Sequence, residues 1–321
     1  MKTLVKACVV MAGLLMMAYV TFKIVRIEEK FTLLSRPARL FSPSQIQSKF
    51  PPRPEWDVKM SPNHDKFFYI LSQQTLNWLG RGMQVIVFET QDGKYVVKFV
   101  QLGRMKENSD KGFFQGLLSK ENKEKREERL RHREEIFSSS KMAFEELQDE
   151  TGIIYVHLNR TEDKLRGVKL VDRNGQSHRI RGDDASFVVQ KKASCVIPVL
   201  TKLMESGDLP GAKQRVNHIF DLLLSLARKG FVDGDDALIR NNNMGFTEDR
   251  AIYIDTGHMF KAVNLDVAER MKYEFQVRLD PLEKWLNVMY PVLGEYYREK
   301  RNEIMTALCQ EKEHSSVKAE A

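Results

Sequence analysis

Lys98 stands in Val-Val-Lys-Phe, an apolar run, one hairpin after the triplet Gly80-Arg81-Gly82. A buried ammonium is costly unless something negative meets it, so the rest of the chain must supply an anion or hold one. Downstream, Asp233-Gly234-Asp235 opens an acidic stretch, Asn241, Asn242 and Asn243 follow, and Ile-Asp255-Thr256-Gly257 ends a short apolar run. Carboxylate and amide oxygens at such places hold hard cations, and a carboxylate can accept a proton from a hydroxyl. Each group also has a plain structural reading. Asp-x-Gly makes an Asx turn, and three aspartates within four residues make an acidic loop.

The elements that would position these residues follow from pattern. Strands are predicted at Thr75–Gly80, Val85–Thr90 and Tyr95–Val100, the last two joined by the hairpin signal Asp92-Gly93. A long helix is predicted over about Lys120–Glu150, its first half the charge run "KENKEKREERLRHREEIF", read as a solvated face. "GIIYVHLN", "GVKLVDRNG" and "ASFVVQKKA" read as three more strands. Then Val216, Ile219, Phe220, Leu223, Leu224 and Ala227 form a helical stripe that Gly230 ends. "AIYIDTG" is a short strand, and Leu265 to Leu308 reads as two or more helices. A β-rich part with one helix, then a helical part, is an α+β plan.

The chain has 321 residues, a net charge of +7 and a pI near 9.1, with acids and bases interleaved. That modest excess suits an anionic ligand or surface, and no nucleic-acid signature accompanies it. Cys8, Cys195 and Cys309 lack metal-ligand spacing, the seven histidines likewise, and no Gly-x-Ser-x-Gly elbow is present. Residues 1–26 carry an apolar run from Ala7 to Phe22 flanked by Lys2, Lys6, Lys23 and Arg26. They read as an uncleaved, single-pass signal anchor, with a cleaved signal peptide as the alternative. Residues 27–65 read as a proline-rich extended linker, 66–310 as the folded body, and 311–321 as a frayed polar tail.

The order Gly80-x-Gly82, hairpin, Lys98, then Asp235, Asn241 and Asp255-Thr256-Gly257 resembles the protein-kinase-like superfamily, in its atypical and aminoglycoside-phosphotransferase-like branch. The resemblance implies a two-lobe α+β fold, with an N-lobe over about 66–190 and a C-lobe over about 191–310. It implies a kinase using ATP and Mg²⁺ (or Mn²⁺) to move the γ-phosphoryl to a hydroxyl of a protein or small molecule. Gly80, Gly82 and Lys98 would then bind the phosphates, with Gln84 where the family's third glycine stands. Asp255 and Asn241 would hold metal (Asn242 or Asn243 being alternatives for the latter), and Asp235 would be the catalytic base, with Asp233 in place of the family's histidine. Lys98 would pair with a glutamate on the long helix, Glu146 or next Glu150, since Glu146 flanks the stripe Ile136, Ala143, Leu147. Backbone groups of Gln190 and Lys191 would contact adenine at a hinge. No Ala-Pro-Glu follows Asp255, which leans away from protein kinases proper. A catalytic body using ATP belongs in the cytoplasm; an exported one would favour the alternative, a pseudokinase acting as a membrane-anchored scaffold.

Overall fold

Period-2 alternation in β3 (Tyr95–Val100) separates two faces: Val96, Lys98 and Val100 on one, Val97 and Phe99 on the other. That strand lies inside a seven-stranded sheet of order β4-β7-β3-β2-β1-β5-β6, built from β1 (Thr75–Arg81), β2 (Val85–Thr90), β4 (Ile153–His157), β5 (Val168–Val171), β6 (Ser177–Ile180) and β7 (Phe187–Lys191). The computed structural model describes residues 40–48, 50–58, 64–82, 84–102, 120–165, 167–233, 243–257 and 259–320. The leader 1–26 lies outside them; among the described residues no helix is long and apolar enough to cross a membrane.

β3 pairs antiparallel with both β2 and β7, placing Lys98 between Val87 and Val188. An interior strand has no solvent edge, so the lysine must leave through the sheet's face. The opposite face carries Phe88, Phe99, Phe187 and Tyr155 in successive ring contacts of 5.4 to 6.0 Å, which supply apolar burial. The hairpin β5–β6 joins the far edge, with β5 parallel to β1 from Thr75↔Lys169 to Asn77↔Val171.

Helix α1 (His64–Gln73) precedes β1, and α2 (Lys120–Glu146) crosses the sheet beside β4. α2 stops short of the expected Glu150: Leu147 leaves helical geometry at φ −130°, and a single turn, α3 (Gln148–Thr151), follows. Gly152 then turns the chain at φ +63°, where a Cβ would lie 2.9 Å from Ile252.

The helical part comes next: α4 (Val196–Glu205), α5 (Leu209–Arg228), α6 (Val267–Tyr273), a π-turn (Glu274–Arg278), α7 (Asp280–Met289) and α8 (Pro291–Glu320). α5 buries Val216, Ile219, Phe220, Leu223 and Ala227, the stripe its sequence carries, and Asp208 caps it by accepting from the Gly211 N–H at 2.9 Å. Two small sheets sit among these helices: β11-β10-β8 (Ala251–Tyr253, Met244–Phe246, Ser194–Cys195) and β12-β9 (Met259–Lys261, Phe231–Asp233). The molecule is a mixed α+β fold.

Two expectations about the ends of the body are corrected. Residues 42–48 and 50–58 are no extended spacer but a strap on α2, while 27–39, 49 and 59–63 of the stretch read as linker lie outside the described residues. The Trp56 and Phe137 rings meet edge-on at 5.4 Å. Lys141 donates to the carbonyls of Glu55 (2.9 Å) and Asp57 (2.7 Å), and Arg53 pairs with Glu134 at 3.0 Å. Arg133, within the run read as a solvated face, is buried with its guanidinium 4.0 Å from the Phe50 ring. Proline prevents ladder pairing yet leaves neighbouring Phe50 and Trp56 able to dock. The residues after Gln310 continue α8 to Glu320, with Lys312 pairing Asp266 at 2.5 Å.

Candidate functional site

Lys98 opens into a cleft of about 760 Å³ walled by Val96, Val100 and Val188. Gly80 and Gly82 roof it. Neither has a positive φ, and a Cβ would meet nothing within 4 Å at Gly80 and nothing nearer than 3.9 Å at Gly82. Their lack of a side chain therefore serves open space rather than backbone strain. Gly82 N–H donates to the Val85 carbonyl at 2.9 Å, and Gln101, nearly fully buried, donates from Nε2 to the Gly82 carbonyl at 2.7 Å. Gln84 reaches toward Gly257, where a Cβ would lie 3.1 Å from its Oε1. Arg81 donates to Gln45 of the strap.

The cleft floor is Ile254-Asp255-Thr256-Gly257 with Asn243 beside it. Lys98 Nζ donates to the Ile254 carbonyl. Burial pulls its pKa down to about 8, and the nearby Asp255 charge opposes that shift. Asp255 is exposed to the cleft, and its Oδ1 accepts from the Gly257 N–H at 3.1 Å, which is the Asx turn its sequence allowed. The buried Asn243 accepts at its carbonyl from Ile254 N–H (2.7 Å) and Asp255 N–H (3.4 Å), fixing the floor strand's exit. Mg²⁺ is held through one or two carboxylates plus phosphate oxygens and waters. Asp255, with Asn243 beside it, fits such an ion; among the described residues no group of three or more His, Cys, Asp or Glu gathers as a metal site.

The structure thus brings Gly80, Gly82, Lys98, Gln190, Lys191, Asn243 and Asp255 to one cleft. Asp235, Asn241 and Asn242 lie outside the described residues.

The glutamate partner is corrected. Glu146 is exposed at the end of α2 and pairs with Lys261 at 2.6 Å, while Glu150 turns toward Ser225 (2.5 Å) and Lys229 (2.8 Å). The face of α2 that lines the cleft carries Ile136, Ser139 and Ser140. The segment read as a hinge lies in the cleft wall. Gln190 lies within β7, registered to Val96 on one side and Ile153 on the other, and Lys191 N–H donates to the Gly152 carbonyl at 2.9 Å. The Lys191 N–H is thereby taken, as is the Lys192 N–H, which donates to the Lys94 carbonyl at 2.9 Å, and Gln190 to Ala193 run along the cleft wall.

Sequence reading missed Gln101, Ser139, Ser140, Cys195 and the side chain of Gln190, all polar groups whose strand or helix phase alone does not reveal a cleft. It also missed a buried cluster below the floor. Arg278 donates to Asp233 Oδ2 at 2.7 Å and to both Glu274 oxygens at 3.0 and 3.1 Å. Burial drives Glu274 up to about 7 despite the opposing Arg278 charge. Asp233 is therefore a structural anion, held just before the acidic stretch.

No protein-family profile and no curated protein matches the chain. Among solved structures, it is similar to the bifunctional kinase-methyltransferase WbdD, with 15% identity over 70% of this chain and 46% of that one, at TM-score 0.34. A structure of monomeric WbdD gives 14% identity over 69% and 48%, at TM-score 0.35. The chain spans less than half the length of those chains, and likeness at that level carries no argument about family or activity.

Proposed function

We propose that this chain is an ATP-dependent phosphotransferase of protein-kinase-like, two-lobe architecture, acting on a hydroxyl of a protein or small molecule. The observation that supports the reading is the convergence of Lys98 and Asp255 on one cleft under the open glycine turn Gly80–Gly82. Lys98 meets the nucleotide phosphates from an interior strand, so the anion its burial asks for is the ligand together with Asp255. The open space beside Gly80 and Gly82 leaves room for those phosphates, the Gly82 N–H being taken by the Val85 carbonyl. Asp255 holds Mg²⁺, with Asn243 or its neighbours Asn241 and Asn242 as the second oxygen donor; when bound, the ion neutralises charge on the transferring group. Asp235 accepts the proton of the attacking hydroxyl. Residues 1–26 anchor the body to a membrane.

A second reading, a pseudokinase that binds nucleotide without turnover, is favoured by one observation. Both candidate glutamates are committed to other lysines, and α2 offers Ser139 and Ser140 to the cleft instead. Turnover separates the two. With water taking the γ-phosphoryl as inorganic phosphate where no other hydroxyl is supplied, ADP release from ATP with Mg²⁺ or Mn²⁺ is expected for the full chain and is expected to fall about 100-fold or more in Asp255→Asn. Nucleotide binding without any ADP release in either metal would leave the pseudokinase.

A further inference from the structure

Gln190 side chain is 1% exposed and spans two parts of the molecule. Its Nε2 donates to the Thr151 carbonyl at 2.6 Å and to the Tyr253 carbonyl at 2.8 Å. Both amide hydrogens are thereby used, which fixes the amide's orientation, because a flip would set Oε1 against two carbonyl oxygens. Thr151 precedes β4 of the large sheet. Tyr253 ends β11, whose next residues are Ile254, the acceptor of the Lys98 ammonium, and Asp255. On β7, Gln190 sits two residues from Val188, the register partner of Lys98. One amide thus ties the sheet that carries the lysine to the strand that carries the aspartate. Its Oε1 is buried without a hydrogen-bond partner, so this position keeps a polar side chain at a cost that apolar packing would avoid.

We propose that Gln190 is a positioning residue, setting the spacing between Lys98 and the Ile254–Asp255 floor through its two hydrogen bonds. Resting on the phosphotransferase reading, this assigns Gln190 to the metal-dependent part of nucleotide binding. Without the tie, β11 shifts relative to β3, and the metal-holding carboxylate loses register with phosphates held by Lys98. Shape alone does not satisfy the role: leucine fills the volume but leaves both carbonyls unpaired. Glutamate at this position donates one hydrogen bond when protonated and none when ionised.

The test uses the full chain and the variants Gln190→Leu and Gln190→Glu. In the nucleotide-free protein, amide-exchange protection at Ile254 and Asp255 is expected to drop about tenfold or more in Gln190→Leu, while β3 amides keep theirs. Gln190→Glu is expected to match Gln190→Leu at pH 8 and to recover part of the protection at pH 5.5. With ATP, Gln190→Leu is expected to raise the Mg²⁺ concentration for half-maximal effect about tenfold, leaving metal-free ATP affinity within about threefold. Equal loss of protection in β3 and β11, or a Gln190→Glu variant indifferent to pH, would overturn the proposal by reducing Gln190 to packing. A wild-type protein that binds no ATP would sink the phosphotransferase reading, and the exchange measurement would still decide the tie.

Discussion

At the scale of single residues, Lys98 sets a pH dependence whose sign can be worked out. Its pKa is about 8 in the folded chain against 10.5 for an ordinary lysine. The folded protein therefore releases this proton first. Burial of the ammonium weighs against folding below pH 8, and that cost disappears as pH rises from 8 to 10.5. Over the same rise Lys98 loses its charge, while Arg81, Lys191 and Lys192 also line the cleft. ATP affinity is expected to fall by about tenfold per pH unit above 8, and Lys98→Met should show weak binding with a flat profile. Calorimetric titration from pH 7 to 9.5 reads both; a flat wild-type curve would mean the lysine does not meet phosphate. Lys98, Asp255 and the two glycines were legible in sequence because their chemistry is odd for their surroundings. Glu146 was misread because a 100° step per residue locates the flanks of a helix but not which flank faces a cleft. That rotation is set from outside, by Phe50 and Trp56 packing on Arg133 and Phe137.

At the scale of elements, the π-turn Glu274–Arg278 and strand β9 are locked by one buried guanidinium. Arg278→Leu leaves Asp233 and Glu274 buried without their cation, a loss expected at about 3–5 kcal/mol in chemical denaturation. The folded pKa of Glu274, raised to about 7, means this group contributes stability that is present below its unfolded value and lost as pH rises through 7. The penalty in Arg278→Leu should therefore shrink at pH 5, where Glu274 takes up a proton; a penalty that grows toward acid pH would contradict this assignment. The strap is the other element to test. Trp56→Ala removes an edge-on ring contact with α2 and is expected to cost about 1–3 kcal/mol, whereas an unchanged denaturation midpoint would return residues 42–58 to the status of a spacer. Proline density hid the strap because it forecasts the absence of a ladder, while docking depends on side chains further along.

At the scale of the whole molecule, the succession of strands, long helix and later helices was readable from hydrophobic period. β2 and β3 fall on their expected residues. The parallel pairing of β1 with β5 was not, since it joins Thr75 to Lys169 and no local signal spans that separation. The cleft exists only through such long-range closure, which is why its serines and the side chain of Gln190 escaped notice, with Gln101 behind the Gly82 carbonyl, while Lys98 did not. The central claim is that Lys98 and Asp255 together hold a nucleotide–metal pair. Isothermal titration of ATP into the wild-type chain and Asp255→Asn, each with and without Mg²⁺, tests it most directly. The account predicts that Mg²⁺ strengthens ATP binding about tenfold or more in the wild type and not in Asp255→Asn, with metal-free affinity similar in the two. Equal enhancement by Mg²⁺ in both proteins, or no binding of ATP to the wild type in either condition, would contradict it.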